Sequence, residues 1–586
     1  MTSLSLLLAS LLSSTQPTTP PDDPLAPLKE PHEIEQPRPA PPRPVTRAPV
    51  VISPVTPAPA PAPIVVVVPR DWPGVFAAIR AGQWTAASAG IAALPASPLT
   101  PLARAELFTA RGSPPVTAEQ VASLLAQAPE LPQAEQLQRL ALSRGALSVP
   151  AVPRRAALVP IGTTPRRGRA QAITGEPEAD KLRLALEPLV KVDDALGAEA
   201  LLSERGALLS YEARAELGQR VAWIYYVLGQ DAQARRVADT WRQGATGDWA
   251  LQSEWVSGLA SWRMNDCAAA SRAFGEVGRR SAEPSLAAAG FYWAARAEMA
   301  CRRPAAVEPL MRAAARGQET FYGLLARRTL GMNTVLAPLD PGAASRIANL
   351  PNLVRAEALV RAGERDMAGE LLRHQARIGA PADQPALVAE ARKLELAATQ
   401  HFLGHFGQPG ARVQPAARYP RPSWAPNGGW QIDPALGLAH ALQESSFRAE
   451  AVSQAGAVGL MQVLPTTRDL IARNRGLATG NLKDPAVNMA FGQEWIRWMR
   501  GHSATAGQLP KIIASYNAGP LPVGRWAVND RGDPLLWIES MPYWETRYYV
   551  PSVLRNLWVY QGFDRAPTPT LTELAQHRWP SFPDRR

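Results

Sequence analysis

The chain has little of what staples or metallates a small fold. It carries two cysteines, Cys267 and Cys301, in 586 residues, too few for a disulfide framework or for a zinc site built on four thiolates. Both lie in segments with helical patterning, so they read as buried free thiols, with a single bridge between neighbouring helices as the alternative. No stretch is apolar for long enough to span a bilayer, and the run from Ile64 to Val68 is far too short. There is no Gly-Lys-Ser/Thr phosphate loop and no EF-hand loop. His401 and His405 stand four apart but lack the glutamate of a zinc-protease motif and any third ligand. These absences imply no metal, no cofactor and no transmembrane segment. The net charge of +11 comes from scattered arginines. That pattern suits a solvated surface and polyanionic partners, and it lacks the Lys/Arg block of a nucleic-acid arm.

Proline is what the chain has in excess, with 58 in all. Eighteen of them fall between Pro17 and Pro69, which predicts an extended linker over 16–69, since so dense a series admits neither helix nor sheet interior. Residues 1–15 hold a leucine-rich core followed by small residues, the pattern of a secretory signal, but without Lys or Arg ahead of it. The expected location is therefore periplasmic or exported.

From Asp71 to about residue 405 apolar residues recur at helical spacing. Val221–Asp231, Gly258–Asp266 and Phe291–Cys301 share one design, an aromatic-bearing helix ending in a polar turn before an Ala-rich helix. Their spacing of about 34 to 37 residues is that of paired-helix repeats, which bury their apolar faces only by stacking. The expectation is all-α, with an α-solenoid over 70–410 and a loop insertion at about 150–180. Prolines return at Pro415, Pro420, Pro422 and Pro426, marking a boundary. A second, mainly helical unit follows over 411–565, and 566–586 reads as a tail.

The chemistry-bearing residues fall in that second unit. Asp433 and Pro434 suit the N-cap and first position of a helix, which places Glu444 about three turns later, near a helix C-terminus. The negative end of the helix and partial burial both disfavour a carboxylate there, the bias a general acid needs. Gly456 and Gly459 allow close backbone approach, and Gln462 offers a donor and an acceptor. His440, one turn before Glu444, reads as a core or solvated histidine.

In order along the chain, Glu444-Ser445, Gly459-Leu460-Met461-Gln462, Ala514-Ser515-Tyr516-Asn517-Ala518-Gly519-Pro520 and Glu545-Thr546-Arg547 with Tyr549-Val550 resemble the signature of the soluble lytic transglycosylases. Leu482, Asp484-Pro485, Asn488, Gly492, Trp537-Ile538-Glu539 and Pro542 are similar to intervening family positions. The match covers about 430 to 562. The resemblance implies a lysozyme-like catalytic domain behind the α-superhelix and cleavage of the MurNAc-GlcNAc bond of peptidoglycan. It also implies Glu444 as acid and then base, 1,6-anhydro-MurNAc ends, and substrate assistance in place of a second carboxylate. Ser445 and Gln462 would hydrogen-bond the substrate, Gly459, Met461 and Tyr549 would join them in binding it, and Tyr516 would stand by Glu444 or the sugar's acetamido group to position it. Asn517 and Glu545 would sit near the cleft, Glu545 as a structural carboxylate paired with Arg547 or Arg525. Leu521-Pro522 departs from the Gly and basic residue usual there, so the cleft edge is expected to differ. A hydrolysing muramidase and a non-catalytic wall-binding scaffold are the alternatives. Glycan strands are the expected partner, with protein partners for the solenoid and wall association left open.

Overall fold

The computed structural model describes residues 67–340 and 342–583. The expected leader and nearly all of the Pro-rich linker lie outside these residues. Those described form 26 α-helices, and their strands are one antiparallel pair, Val159–Pro160 with Phe406–Gly407. They divide into two compact units, one ending at Ala157 and completed by Ser345–Gly379, the other spanning Leu158–Ala344 and Ala380 onward. The boundary expected near 411 falls inside the second.

The first unit contains seven helices, from Trp72–Arg80 to Arg365–Ile378. Their starts follow local chemistry. Asp71 accepts from Gly74 N ahead of Trp72-Pro73, and Thr117 and Gln120 form a reciprocal capping box. The core is aliphatic with one phenylalanine, Phe76. Arg355, nearly buried, pairs with Glu130, and Asn352 donates to the Glu130 carbonyl at 2.9 Å.

In the second unit the repeat read from sequence appears in the backbone. Asp193, Gly229, Asn265 and Arg302 all have positive φ, from 56° to 75°, and each follows a helix and turns the chain into the next. Helices Tyr211–Val227, Asp231–Trp241, Asp248–Arg263, Cys267–Arg280 and Pro284–Ala300 pack on one another in succession. Between the last two the approach is close enough to demand glycine, since a Cβ on Gly290 would sit 2.4 Å from Gly278 N. Aromatic contacts run through this core, Trp255 to Phe274, Phe274 to Trp293 and Trp293 to Trp262, with ring centroids 5.1 to 5.6 Å apart.

The cysteines correct the free-thiol expectation. Cys267 opens one helix and Cys301 caps the end of the next, and they form a disulfide with Cα atoms 5.5 Å apart. The stacking of the two helices brings the residues together, which their spacing alone did not decide.

The expected insertion forms an extended strap. Ile161 N donates to His405 O at 2.8 Å, and Arg167 makes two bonds to Glu539 at 2.7 and 2.8 Å. Trp249 Nε1 donates to Gln171 O at 2.6 Å, and Ile173 N to Glu216 Oε2 at 2.7 Å. The strap thus touches the helical repeats and the C-terminal helices of this unit. Those C-terminal helices surround Trp544–Phe563, which packs on Pro434–Ser445 and Leu509–Ala518. Residues read as a tail are packed too: Pro569–Ala575 lies against Phe321–Thr329, and Leu509 N donates to Pro580 O at 2.9 Å. His401 and His405 each bond a backbone carbonyl through Nδ1, at 2.7 and 2.9 Å.

Candidate active site

Asp433 accepts from Ala435 N at 2.9 Å and starts the helix Pro434–Ser445 as its sequence predicts. The helix ends at Ser446, whose φ of 52° is left-handed, and Phe447 follows at 63°. Two successive non-glycine residues in that region are strained, and the strain is held by a buried surround, both side chains being under 7% exposed. This turn leaves Glu444 half-buried in the final helical turn. Burial pushes its carboxyl up to about 7; a hydrogen bond from Tyr549 opposes the rise and the charge of Glu545 adds to it. The Tyr549 hydroxyl donates to Glu444 Oε1 at 2.5 Å.

The small-residue turn forms the loop beside the acid. Gly459 has φ +78°, and a Cβ there would lie 2.3 Å from both Asn488 Nδ2 and Leu482 O. Glycine is required on both counts. Asn488, fully buried, accepts from Met461 N at 2.7 Å and donates to Val458 O and Leu482 O, each at 2.8 Å. Met461 packs its buried side chain on Gly492, and Gln462 donates to Gly459 O at 2.8 Å while staying half-buried. Across from this loop Tyr516 donates to Met461 O at 2.6 Å. Asn517 donates to Glu545 at 3.3 Å and accepts from Thr546 at 2.6 Å. Burial raises the Glu545 carboxyl above its ordinary value, and the Asn517 bond partly opposes this.

Glu444, Gly459, Met461, Gln462, Tyr516, Asn517, Glu545 and Tyr549 are therefore brought together from three helices and a loop. Two expectations need correction. Ser445 is 2% exposed and its hydroxyl donates to Leu460 O at 2.8 Å, so it ties the helix to the loop. Glu545 pairs with neither expected arginine; the Arg547 guanidinium lies 3.8 Å from the Trp223 ring centroid instead. Two residues mattered more than the sequence suggested. Asn488 holds three backbone groups, with nothing in the local pattern to say so, and His440 is wholly buried against Tyr549 and Tyr516.

Residues 425–534 match the transglycosylase SLT domain. The soluble lytic murein transglycosylase of Escherichia coli K12 is 32% identical over 141 residues, 23% of this chain and 22% of that protein. The membrane-bound lytic murein transglycosylase C of Haemophilus influenzae PittGG is 36% identical over 120 residues, 19% of this chain and 34% of that one. The aligned segment thus spans less than two thirds of these relatives' own length. Solved structures extend the likeness in fold. The lytic transglycosylase Slt of Pseudomonas aeruginosa superposes with a TM-score of 0.55 at 20% identity, covering 86% of this chain and 83% of that one. The 70 kDa soluble lytic transglycosylase of E. coli gives 0.51 at 17% identity, over 87% and 98%. Residues 425–534 are thus similar to a transglycosylase SLT domain, and the chain shares its helical fold with these solved structures.

Proposed function

We propose that the protein is a peptidoglycan lytic transglycosylase in which residues 411–565 carry the reaction and the helical repeats organise substrate or partners. The observation that carries this reading is Glu444, a carboxyl pushed up to about 7 by burial, held on one oxygen only by Tyr549. A carboxyl in that range is protonated often enough at neutral pH to act as an acid and is still able to act as a base. Glu444 gives its proton to the glycosidic oxygen between MurNAc and GlcNAc as the C1–O bond breaks. The 2-acetamido group of the muramyl sugar stabilises the anomeric carbon in place of a second carboxylate. Glu444 then takes the proton of the muramyl O6 hydroxyl while O6 bonds to C1, closing a 1,6-anhydro ring without consuming water. The exposed portions of Gln462, Tyr516 and Asn517 line the path for the sugar, with Gly459 and Met461 shaping the wall and Glu545 held by Asn517.

The Cys267–Cys301 disulfide supports residence in an oxidising compartment, in keeping with export. No helix of the described residues is long and apolar enough to cross a membrane. The test is mass spectrometry of purified peptidoglycan digested by the wild type and by Glu444→Gln. Products ending in 1,6-anhydro-MurNAc from the wild type alone are expected; reducing ends would make it a muramidase, and no soluble product would leave a wall-binding scaffold.

A further inference from the structure

His440 lies one turn before Glu444 on the same helix, and the motifs that mark the family do not include it. It is completely buried. Its Nδ1 is 3.0 Å from the Tyr549 hydroxyl, and its ring centroid is 4.5 Å from that of Tyr516. Its Nε2 is buried with no hydrogen-bond partner among the described residues. A phenol has one proton, and that of Tyr549 is given to Glu444 Oε1. The His440–Tyr549 contact is then a hydrogen bond only if histidine is the donor.

We infer that His440 is a positioning residue for the acid: it holds the Nδ1–H tautomer, donates to the Tyr549 oxygen, and so fixes Tyr549 as a donor toward Glu444. The environment keeps the imidazole neutral. The groups that face it are Tyr516 from Leu509–Ala518, Tyr549 from Trp544–Phe563 and, on its own helix, Glu444, whose charge Tyr549 and Glu545 also influence. Burial holds its pKa down at about 3, so it does not change charge over the range in which Glu444 titrates.

The consequence is directional. With Oε1 occupied by a donor, the proton of the neutral Glu444 resides on Oε2, which no described residue bonds and which is free to meet the glycosidic oxygen. Were Tyr549 free to rotate, its oxygen could accept that proton from Oε1, and the acid would be tied to the protein instead of the leaving group. The lock needs no net proton transfer through His440.

This inference rests on Glu444 acting as the acid, and the test separates the two. Turnover of purified peptidoglycan is measured against pH for the wild type, His440→Leu, His440→Asn, Tyr549→Phe and the double variant His440→Leu/Tyr549→Phe. A wild type that releases no anhydro product overturns the functional reading itself. With an active wild type, we expect kcat to fall about tenfold in His440→Leu with KM little changed, the loss of one hydrogen bond's worth of alignment. Asparagine, which can set an N–H near the Nδ1 position, restores most of it. In the Tyr549→Phe background the leucine substitution has no further effect. Wild-type kcat and pH profile in His440→Leu overturn the inference, as does an equal loss on leucine and asparagine that adds to that of Tyr549→Phe. Nitrogen-15 NMR of histidine-labelled wild type gives a readout that needs no variant to fold. A neutral histidine protonated at Nδ1 and unchanged between pH 5 and 8 is expected, and its absence overturns the inference.

Discussion

Glu444 stays protonated near neutral pH because its carboxyl is desolvated, and the surrounding groups adjust that value in calculable directions. The acid form is lost as pH rises through about 7, so turnover should be level below that value and decline above it. Tyr549 favours the charged form, and Tyr549→Phe should move the alkaline limb to higher pH. Glu545 disfavours it, and Glu545→Gln should move the limb lower; pH–rate profiles of the two variants check both signs. A carboxyl raised in the folded state binds its proton more tightly than in the unfolded chain. Folding stability is therefore lost as pH climbs from about 4.5 to about 7 and stays lost above. Glu444→Gln removes that cost, so it should melt a few degrees above the wild type at pH 8, with the gap closing near pH 4. The place of Glu444 near a helix C-terminus was legible from the Asp433-Pro434 start and the spacing that follows it. The inward turn of Ser445 and the partner of His440 were not, because both depend on contacts with residues far along the chain.

Among the elements, the loop 458–463 and the helix Pro485–Arg500 act as one piece, since Asn488 bonds Met461 N and Val458 O of the loop and also Leu482 O. Asn488→Ala should destabilise the protein by roughly 2–4 kcal/mol, at about 1 kcal/mol or more for each buried group left unpaired. Gly459→Ala adds a steric clash with that amide to an unfavourable φ, and should raise KM and lower kcat together. Circular-dichroism melting and turnover assays distinguish these from a neutral surface change. In the repeats, Cys267→Ser opens a loop closed between cysteines 34 positions apart and should cost about 2–4 kcal/mol, read as a lower urea midpoint that reductant reproduces in the wild type. The helices and their repeat spacing were legible because apolar periodicity is local. The disulfide was not, because spacing says that two helices are neighbours without saying which ends meet.

At the scale of the whole molecule, the strap is the least expected feature. Arg167 and Glu539 are 372 residues apart, and their side chains are 10% and 1% exposed. Tyr322, from the repeats, donates to the same carboxylate at 2.7 Å. Arg167→Met leaves a buried carboxylate with a single neutral partner and should cost about 3–5 kcal/mol, whereas Arg167→Met with Glu539→Leu should recover much of it; urea denaturation of both variants tests this.

Sequence alone determined the helical class, the repeat, the glycine at 459 and the position proposed for the acid. Each follows from local periodicity, from a conformation one residue type prefers, or from motifs in fixed order. Tertiary structure decided what those residues became: which carboxyl is dry, which tyrosine reaches it, which cysteines meet and where the strap lies. Tyr549 lies 105 residues from Glu444, and no local rule connects them. Desolvation and hydrogen-bond direction are properties of the packed surround, and exist only once the helices have closed around the site.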